Sequence, residues 1–375
     1  MRIAYAITRA DAVGGASIHV RDLAQAMIAR GHEAMVFLGG EGPVTEQLSA
    51  AGIPFRSLRW LRRAVHPVRD ARAFGELVHA LGEFQPDLVS THTAKAGWLG
   101  RAACGRLGLP VLYTPHGWSV GGRISSAHGP IFRLAEMAAA RWASGIVCVC
   151  QYERELALCA GIVGPEKLHV IYNGVRDIPA TLRADPGASS VRIVSIARLE
   201  RPKDHRTLLE ALAALRSRDW ELELIGGGPL EEEARGLAAA LGIAGRVRLS
   251  GYQPDPAVAL ARAQVFVLSS RSEGFPRSVL EAMRSGLPVV ASDVGGVREA
   301  VSEGINGLLV PPGEPKALAG ALEKLIAEAP ERQRLGTAAR RIYEGRFRFE
   351  RMLQETMEVY DTVVDSSRLE RKTQS

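Results

Sequence analysis

The sequence predicts an α/β protein built from two successive doubly wound parallel-sheet domains. Three observations carry this. Strand-like and helix-like runs alternate along the chain, as parallel strands joined by crossover helices require. The alternation stops at a segment rich in Pro, Gly, Asp and Ser and then begins again. The 375 residues are ample for two cores, and 39 glycines supply the tight strand-to-helix turns of such sheets.

In the first half, Arg2–Thr8 is a short apolar run ending in the loop Arg9–Gly15. A helical pattern spans about Ala16 to Arg30 and stops at Gly31, the expected C-terminal punctuation. Strands are predicted at Glu33–Leu38, Asp87–Thr91, Val111–Thr114, Gly145–Val149 and Leu168–Tyr172. The segment Val175–Ser190, with Pro179, Asp185-Pro186-Gly187 and Ser189-Ser190, has linker chemistry and sets the expected boundary. Strands resume at Val191–Ala197, Glu221–Ile225, Val265–Leu268 and Pro288–Ala291, with a helix at Asp204–Arg216. Pro330–Val364 reads as helical, and Ser366–Ser375 as a polar, frayed end.

Composition excludes several classes. No run approaches the ~18 apolar residues of a transmembrane helix. The opening Met1–Ile7 is too short before Thr8-Arg9-Ala10-Asp11 for a signal peptide and reads as a buried strand. Cys104, Cys148, Cys150 and Cys159 lack metal-ligand spacing, which points to reduced thiols of a cytoplasmic protein and to no metal site. The net charge is +5 over residues 1–185 and +1 over 186–375. Without an aromatic-basic recognition motif, nucleic acid is not the expected partner. An anionic membrane surface or a phosphorylated acceptor accounts for the asymmetry.

Ligands of open α/β sheets bind at the carboxyl ends of strands, near helix N-termini. The segment Ser269–Met283 follows a buried strand and opens a helix, with Pro276 suited to its first turn. Glu273 lies before the helix and Glu281 roughly one and a half turns inside it. Backbone N–H groups of Gly274, Phe275, Val279 and Leu280 form an anion site between them, aided by the helix dipole. A nucleoside diphosphate sugar needs donors for its diphosphate and acceptors for its ribose diol and sugar hydroxyls, and this arrangement offers both. On spacing alone, Glu273 reads equally as a loop acid and Glu281 as a partner of a nearby Arg.

The pattern E-G-F-P-x-x-x-x-E-A-M, followed by Gly286-Leu287-Pro288 and Gly295-Gly296, resembles the signature of family-4 retaining glycosyltransferases of the GT-B fold. That fold has two Rossmann-like domains facing across a cleft. The resemblance implies an acceptor-side domain at 1–185, a donor domain at 186–349, and a C-terminal helix near 350–365 packing back on the first. Arg198 and Lys203, in an R-L-x-x-x-K pattern after the second domain's first strand, match the family's phosphate-binding cations. With no Asp-x-Asp motif, these cations are expected to stabilise the leaving diphosphate without a metal or other cofactor. Gly226-Gly227-Gly228-Pro229 resembles the family's G-x-G-P turn, and Val247–Tyr252 its base-side loop, with Tyr252 near the nucleotide.

In the first domain, Gly14 and Gly15 of Val13–His19 resemble the family's paired glycines near the donor phosphates, although a steric turn explains them as well. His116 in Thr114–Trp118 resembles the histidine that contacts the transferred sugar. Thr91–Gly97 looks like the acceptor motif of bacterial transferases that extend polyprenyl-diphosphate-linked saccharides. It nominates His92 and Lys95 for the acceptor diphosphate. Arg56–Arg72 holds six arginines around Trp60, the composition of a membrane-surface patch on the inner leaflet or of a solvated loop. The implied activity is retaining transfer from a nucleotide sugar, UDP-sugar favoured, to a saccharide or lipid-linked acceptor in surface polysaccharide assembly. A sugar-nucleotide 2-epimerase and a non-catalytic sugar-nucleotide-binding subunit are the alternatives. The glutamate pair with His116 fits transfer better than the first, and the intact Glu273, Arg198, Lys203 and His116 disfavour the second.

Overall fold

The computed structural model describes residues 1–118 and 129–374. The chain forms two compact units, Met1–Tyr172 with Met352–Ser375, and Asn173–Arg351. The first contains the strands β1 (Arg2–Ile7), β2 (Glu33–Gly39), β3 (Phe55–Leu58), β4 (Leu88–His92), β5 (Val111–Thr114), β6 (Gly145–Cys148) and β7 (Leu168–Val170). The second contains β8 (Arg192–Ile196), β9 (Glu221–Ile225), β10 (Val247–Leu249), β11 (Val265–Leu268), β12 (Val289–Ser292) and β13 (Gly307–Val310). Every pairing among these strands is parallel. The strand orders are β3-β2-β1-β4-β5-β6-β7 and β10-β9-β8-β11-β12-β13. Both are the doubly wound Rossmann order, which reverses direction beside the first strand of each unit.

Helices cover both faces, so central strands are buried throughout and read as continuous apolar runs: β11 is Val-Phe-Val-Leu, all buried. That is why β1, β5 and β11 are legible in the sequence. The short strands β3 and β13 escaped, and residues 247–249 of the expected base-side loop form β10. Pro276 caps the helix Arg277–Ser285 from outside rather than occupying its first turn. The expected fraying does not appear over 366–374, which continue the helix Phe349–Gln374.

The segment 175–190 is not a linker. It lies within the second unit, stitched down by arginines. Arg277 donates to the Gly174 carbonyl at 3.0 Å and Arg284 to the Arg176 carbonyl at 3.0 Å. Arg340 grips both carboxylate oxygens of Asp177, at 2.6 and 2.8 Å. Arg332, 1% exposed, donates to the carbonyls of Pro186, Ala188 and Leu325. Turn-rich composition reveals that a segment is irregular. It does not reveal which side chains elsewhere satisfy its backbone.

The first unit contains a fully buried ion pair. Arg101 Nη2 donates to Glu136 at 2.6 Å, while Trp98 and Tyr113 donate to the other carboxylate oxygen at 2.7 and 3.1 Å. Removing one partner leaves the other charge desolvated and uncompensated. Glu136→Ala is therefore expected to lower stability by about 3–5 kcal/mol in urea unfolding. A loss below about 1 kcal/mol would mean that the pair is not buried as described.

Candidate functional site

In the second unit, two loops leave the carboxyl ends of the adjacent strands β8 and β11. Backbone bonds zip them together: Asp204 N–H donates to the Ser269 carbonyl at 3.0 Å, and Arg271 N–H to the Pro202 carbonyl at 2.9 Å. This brings Lys203 against Glu273 in a charge-assisted hydrogen bond, with side chains 16% and 10% exposed. Arg198, on the same loop as Lys203, is more exposed and pairs with Glu200 at 2.7 Å. Asp204 caps the following helix through Thr207 N–H and takes Arg271 at 2.5 Å. His205 beside it is pushed down to about 4 by burial, with Lys203 adding to the shift.

Glycines set how closely these loops approach. A Cβ on Gly226 would lie 2.1 Å from the Ala197 carbonyl oxygen, and one on Gly295 would lie 1.9 Å from that of Glu273. The first holds the loop after β9 against the Arg198 loop, and the second fixes the height of the Glu273 loop. Gly296 N–H bonds the Gly274 carbonyl at 2.9 Å, and Asn173 Nδ2 bonds that of Phe275 at 2.9 Å. The helix Arg277–Ser285 then begins with no side-chain cap. Glu281 is partly exposed, whereas Phe275, Val279 and Leu280 are 4%, 0% and 0% exposed. Whatever the last three offer a ligand comes from backbone, not side chain. Tyr252 follows β10 with its ring 43% exposed.

In the first unit, three histidines meet. His19 of the helix Gly15–Ala29, His92 at the end of β4 and His116 after β5 place ring nitrogens within 4.8 Å of one another. A donor set of this size is one that a zinc ion uses. Here, however, both nitrogens of His92 are engaged, Nδ1 with His116 Nε2 at 3.0 Å and Nε2 with Ser90 Oγ at 3.0 Å. Tyr360, on the C-terminal helix, donates its hydroxyl to Ser90 Oγ at 3.0 Å. Tyr360, Ser90, His92 and His116 thus form one hydrogen-bonded line. His116 and Thr93 hold φ of 53° and 68°, values costly for residues with a Cβ and common at functional sites.

Gly14 is extended, and its N–H donates to Ser17 Oγ at 2.9 Å, so it caps the helix that Gly15 begins. Lys95 is 5% exposed and donates to Asp70 at 2.5 Å and to the Ala64 carbonyl at 3.2 Å. Lys95 thereby anchors the loop beneath the arginine run and is not the surface cation expected at the acceptor. His92, 1% exposed, likewise lies beneath the surface, hydrogen-bonded to His116. Trp60 is also no free membrane anchor, being half-buried with the Arg59 and Arg72 guanidinium groups over its ring.

A family profile described as Glycosyltransferase Family 4 matches residues 13–177, and one described as Glycosyl transferases group 1 matches residues 185–342. A D-inositol 3-phosphate glycosyltransferase of Salinispora tropica is 31% identical over 325 residues, covering 78% of this chain and 67% of that one. The chain belongs to the GT-B glycosyltransferases. Another relative of this transferase is the Escherichia coli UDP-Gal:alpha-D-GlcNAc-diphosphoundecaprenol alpha-1,3-galactosyltransferase. It is 27% identical, with 72% of this chain and 73% of that one covered. Among solved structures, Anabaena HepE in complex with UDP and glucose is similar at a TM-score of 0.84. Identity is 25%, covering 96% of the transferase and 99% of HepE.

Sequence reading missed Ser90 and Tyr360. Ser90 was accessible in principle, since two-residue alternation on a strand puts it on the same face as His92. Tyr360 lies 270 residues further on and carried no local signal.

Burial, with His116 second, holds the His92 pKa well below the usual histidine value. In the unfolded chain His92 takes a proton near pH ~6.5. The unfolded state therefore binds the extra proton, and His92's contribution to stability is full above about pH 6.5 and declines as pH falls below it. The ring signals of His92 in NMR titration of the folded transferase should stay constant from about pH 8 to 5.5. A midpoint near the ordinary value would contradict the burial account.

Proposed function

We propose that this glycosyltransferase moves a sugar from a UDP-sugar to a saccharide or polyprenyl-diphosphate-linked acceptor, with retention and without a metal ion. The supporting observation is that Arg198, Lys203 and Glu273 stand on two zipped loops at the carboxyl edge of the second sheet, before the helix that carries Glu281 and starts with no side-chain cap. The diphosphate takes the Arg198 and Lys203 cations and the positive end of that helix. As it draws Lys203 away, Glu273 is released to accept from sugar hydroxyls. Glu281 accepts from the ribose diol.

The bond from the anomeric carbon to the diphosphate oxygen breaks, and the acceptor oxygen bonds that carbon on the same face. The departing diphosphate receives the acceptor's proton, so that charge develops where two cations already stand. In the first unit, the line from Tyr360 to His116 presents a fixed imidazole to a substrate hydroxyl. The UDP preference draws on the HepE complex and on the galactosyltransferase's name, and the lipid-linked acceptor on the latter. A cytoplasmic site of action follows from where nucleotide sugars are made. Among the described residues no helix is long and apolar enough to cross a membrane.

If protein cations carry the leaving-group charge, transfer should survive EDTA. Arg198→Ala or Lys203→Ala should each cost ~10²-fold or more in kcat. Activity abolished by EDTA and restored by Mg²⁺ or Mn²⁺ would overturn the metal-independent reading.

A further inference from the structure

Five of the six arginines in the first unit's run divide into two sets. Arg56 pairs with Glu83, while Arg59 and Arg72 both lie over the Trp60 ring. Among the described residues, Arg62 and Arg63 have no ion-pair partner. Both line a cavity of about 200 Å³. Arg9, from the loop after β1, lines it as well and is joined to Asp11 by two hydrogen bonds of 2.8 and 3.1 Å. Three arginines therefore line one space with a single acid, Asp11, among the lining residues.

The cavity is built, not an accident of long side chains. Its floor is Gly39, where a Cβ would lie 2.1 Å from the Leu61 carbonyl oxygen and 2.4 Å from that of Thr8. The carboxyl ends of β1 and β2 and the arginine loop thus meet at backbone distance, and Leu61 is 1% exposed. Glu76 accepts from the N–H groups of Arg59 and Trp60 at 2.8 and 3.0 Å, fixing the loop's near side. The buried Lys95–Asp70 pair fixes the far side, through the Ala64 carbonyl and through His66 N–H at 3.1 Å. Side-chain hydrogen bonds to its backbone thus hold the loop on both sides of Arg62 and Arg63. Guanidinium forks carried on a loop anchored at both ends suit phosphate oxygens, which they bind through paired, charge-assisted hydrogen bonds.

We propose that this cavity binds the phosphate or diphosphate group of the acceptor, with Arg62 and Arg63 as the main ligands and Arg9 as the third. This rests on the transferase reading above, and it moves the acceptor anion from Lys95 to the arginines that Lys95 helps to position. The ligand is a phosphate ester or diphosphate anion, carried either on a polyprenyl lipid or on a soluble saccharide.

The test uses the full chain saturated with UDP, so that Arg198 and Lys203 are occupied, and titrates inorganic pyrophosphate calorimetrically. Wild type should bind, and the double variant Arg62→Ser, Arg63→Ser should bind at least tenfold more weakly with UDP affinity unchanged. Asp11→Asn, which removes the competing carboxylate, should tighten pyrophosphate binding. No binding by the UDP-saturated wild type, or equal binding by the double variant, would overturn the proposal. Competition by neutral vesicles doped with a polyprenyl diphosphate would identify a lipid source, and competition by a soluble sugar phosphate a free one. Competition by neither would overturn the assignment. Sugar transfer to a phosphate-free acceptor without pyrophosphate binding would sink this site and spare the transferase reading. Pyrophosphate binding without any nucleotide-sugar turnover would do the reverse.

Discussion

Parallel pairing is the constraint on which everything else in this molecule rests. A parallel strand cannot turn back on itself, so each must send the chain over a face of the sheet before the next begins. All strand ends of one polarity then open on one edge, where loops are free to carry polar groups that the buried sheet cannot hold. In both units the strand order reverses between the first and fourth strands, which parts the loops on either side. The same position is used twice. In the first unit Thr8, after β1, bonds Thr93, after β4, at 2.8 Å. In the second, Lys203, after β8, meets Glu273, after β11.

Arginine does two jobs in this chain, and burial separates them. Arg277, Arg284, Arg332 and Arg340 are each at most 8% exposed and donate to backbone carbonyls, so they fasten irregular backbone to the second unit. Burial lowers the affinity of Arg332 for its proton, yet guanidinium remains charged at any ordinary pH. Arg62, Arg63 and Arg198 remain accessible, where an anion can reach them. Composition counts both kinds alike. The net charge difference between the halves therefore overstates how much cation the first unit offers to a surface, because Arg56, Arg59, Arg72 and Lys95 are already engaged.

The fold was legible where burial on both sides made strands wholly apolar, as in β1, β5 and β11, and where glycine punctuated a helix. It was illegible where a short element carries polar residues or glycine, as in β3 (Phe-Arg-Ser-Leu), β10 (Val-Arg-Leu) and β13 (Gly-Leu-Leu-Val), and where tertiary contacts decide a segment's allegiance, as at 175–190. Of the site, the residues after β8 and β11 were readable because strand, loop and helix signals occur together there. The pairing of Lys203 with Glu273 was not, since it depends on two loops 70 residues apart being zipped. Lys95 misled for a simple reason. A lysine at a helix start looks solvated in sequence, and only its neighbour Asp70 in space explains its burial. The line from Tyr360 to His116 is the extreme case, a site built by a helix at the other end of the chain.

The central claim is that the nucleotide sugar is held at the carboxyl edge of the second sheet, by the loops after β8 and β11. Photolabelling the full chain with an azido-uridine diphosphate glucose, followed by peptide mapping, tests this most directly. The account predicts that label suppressed by excess UDP falls on peptides within residues 173–351, at the loops carrying Arg198, Tyr252 and Glu273. Label suppressed by UDP but confined to residues 1–172 would contradict it.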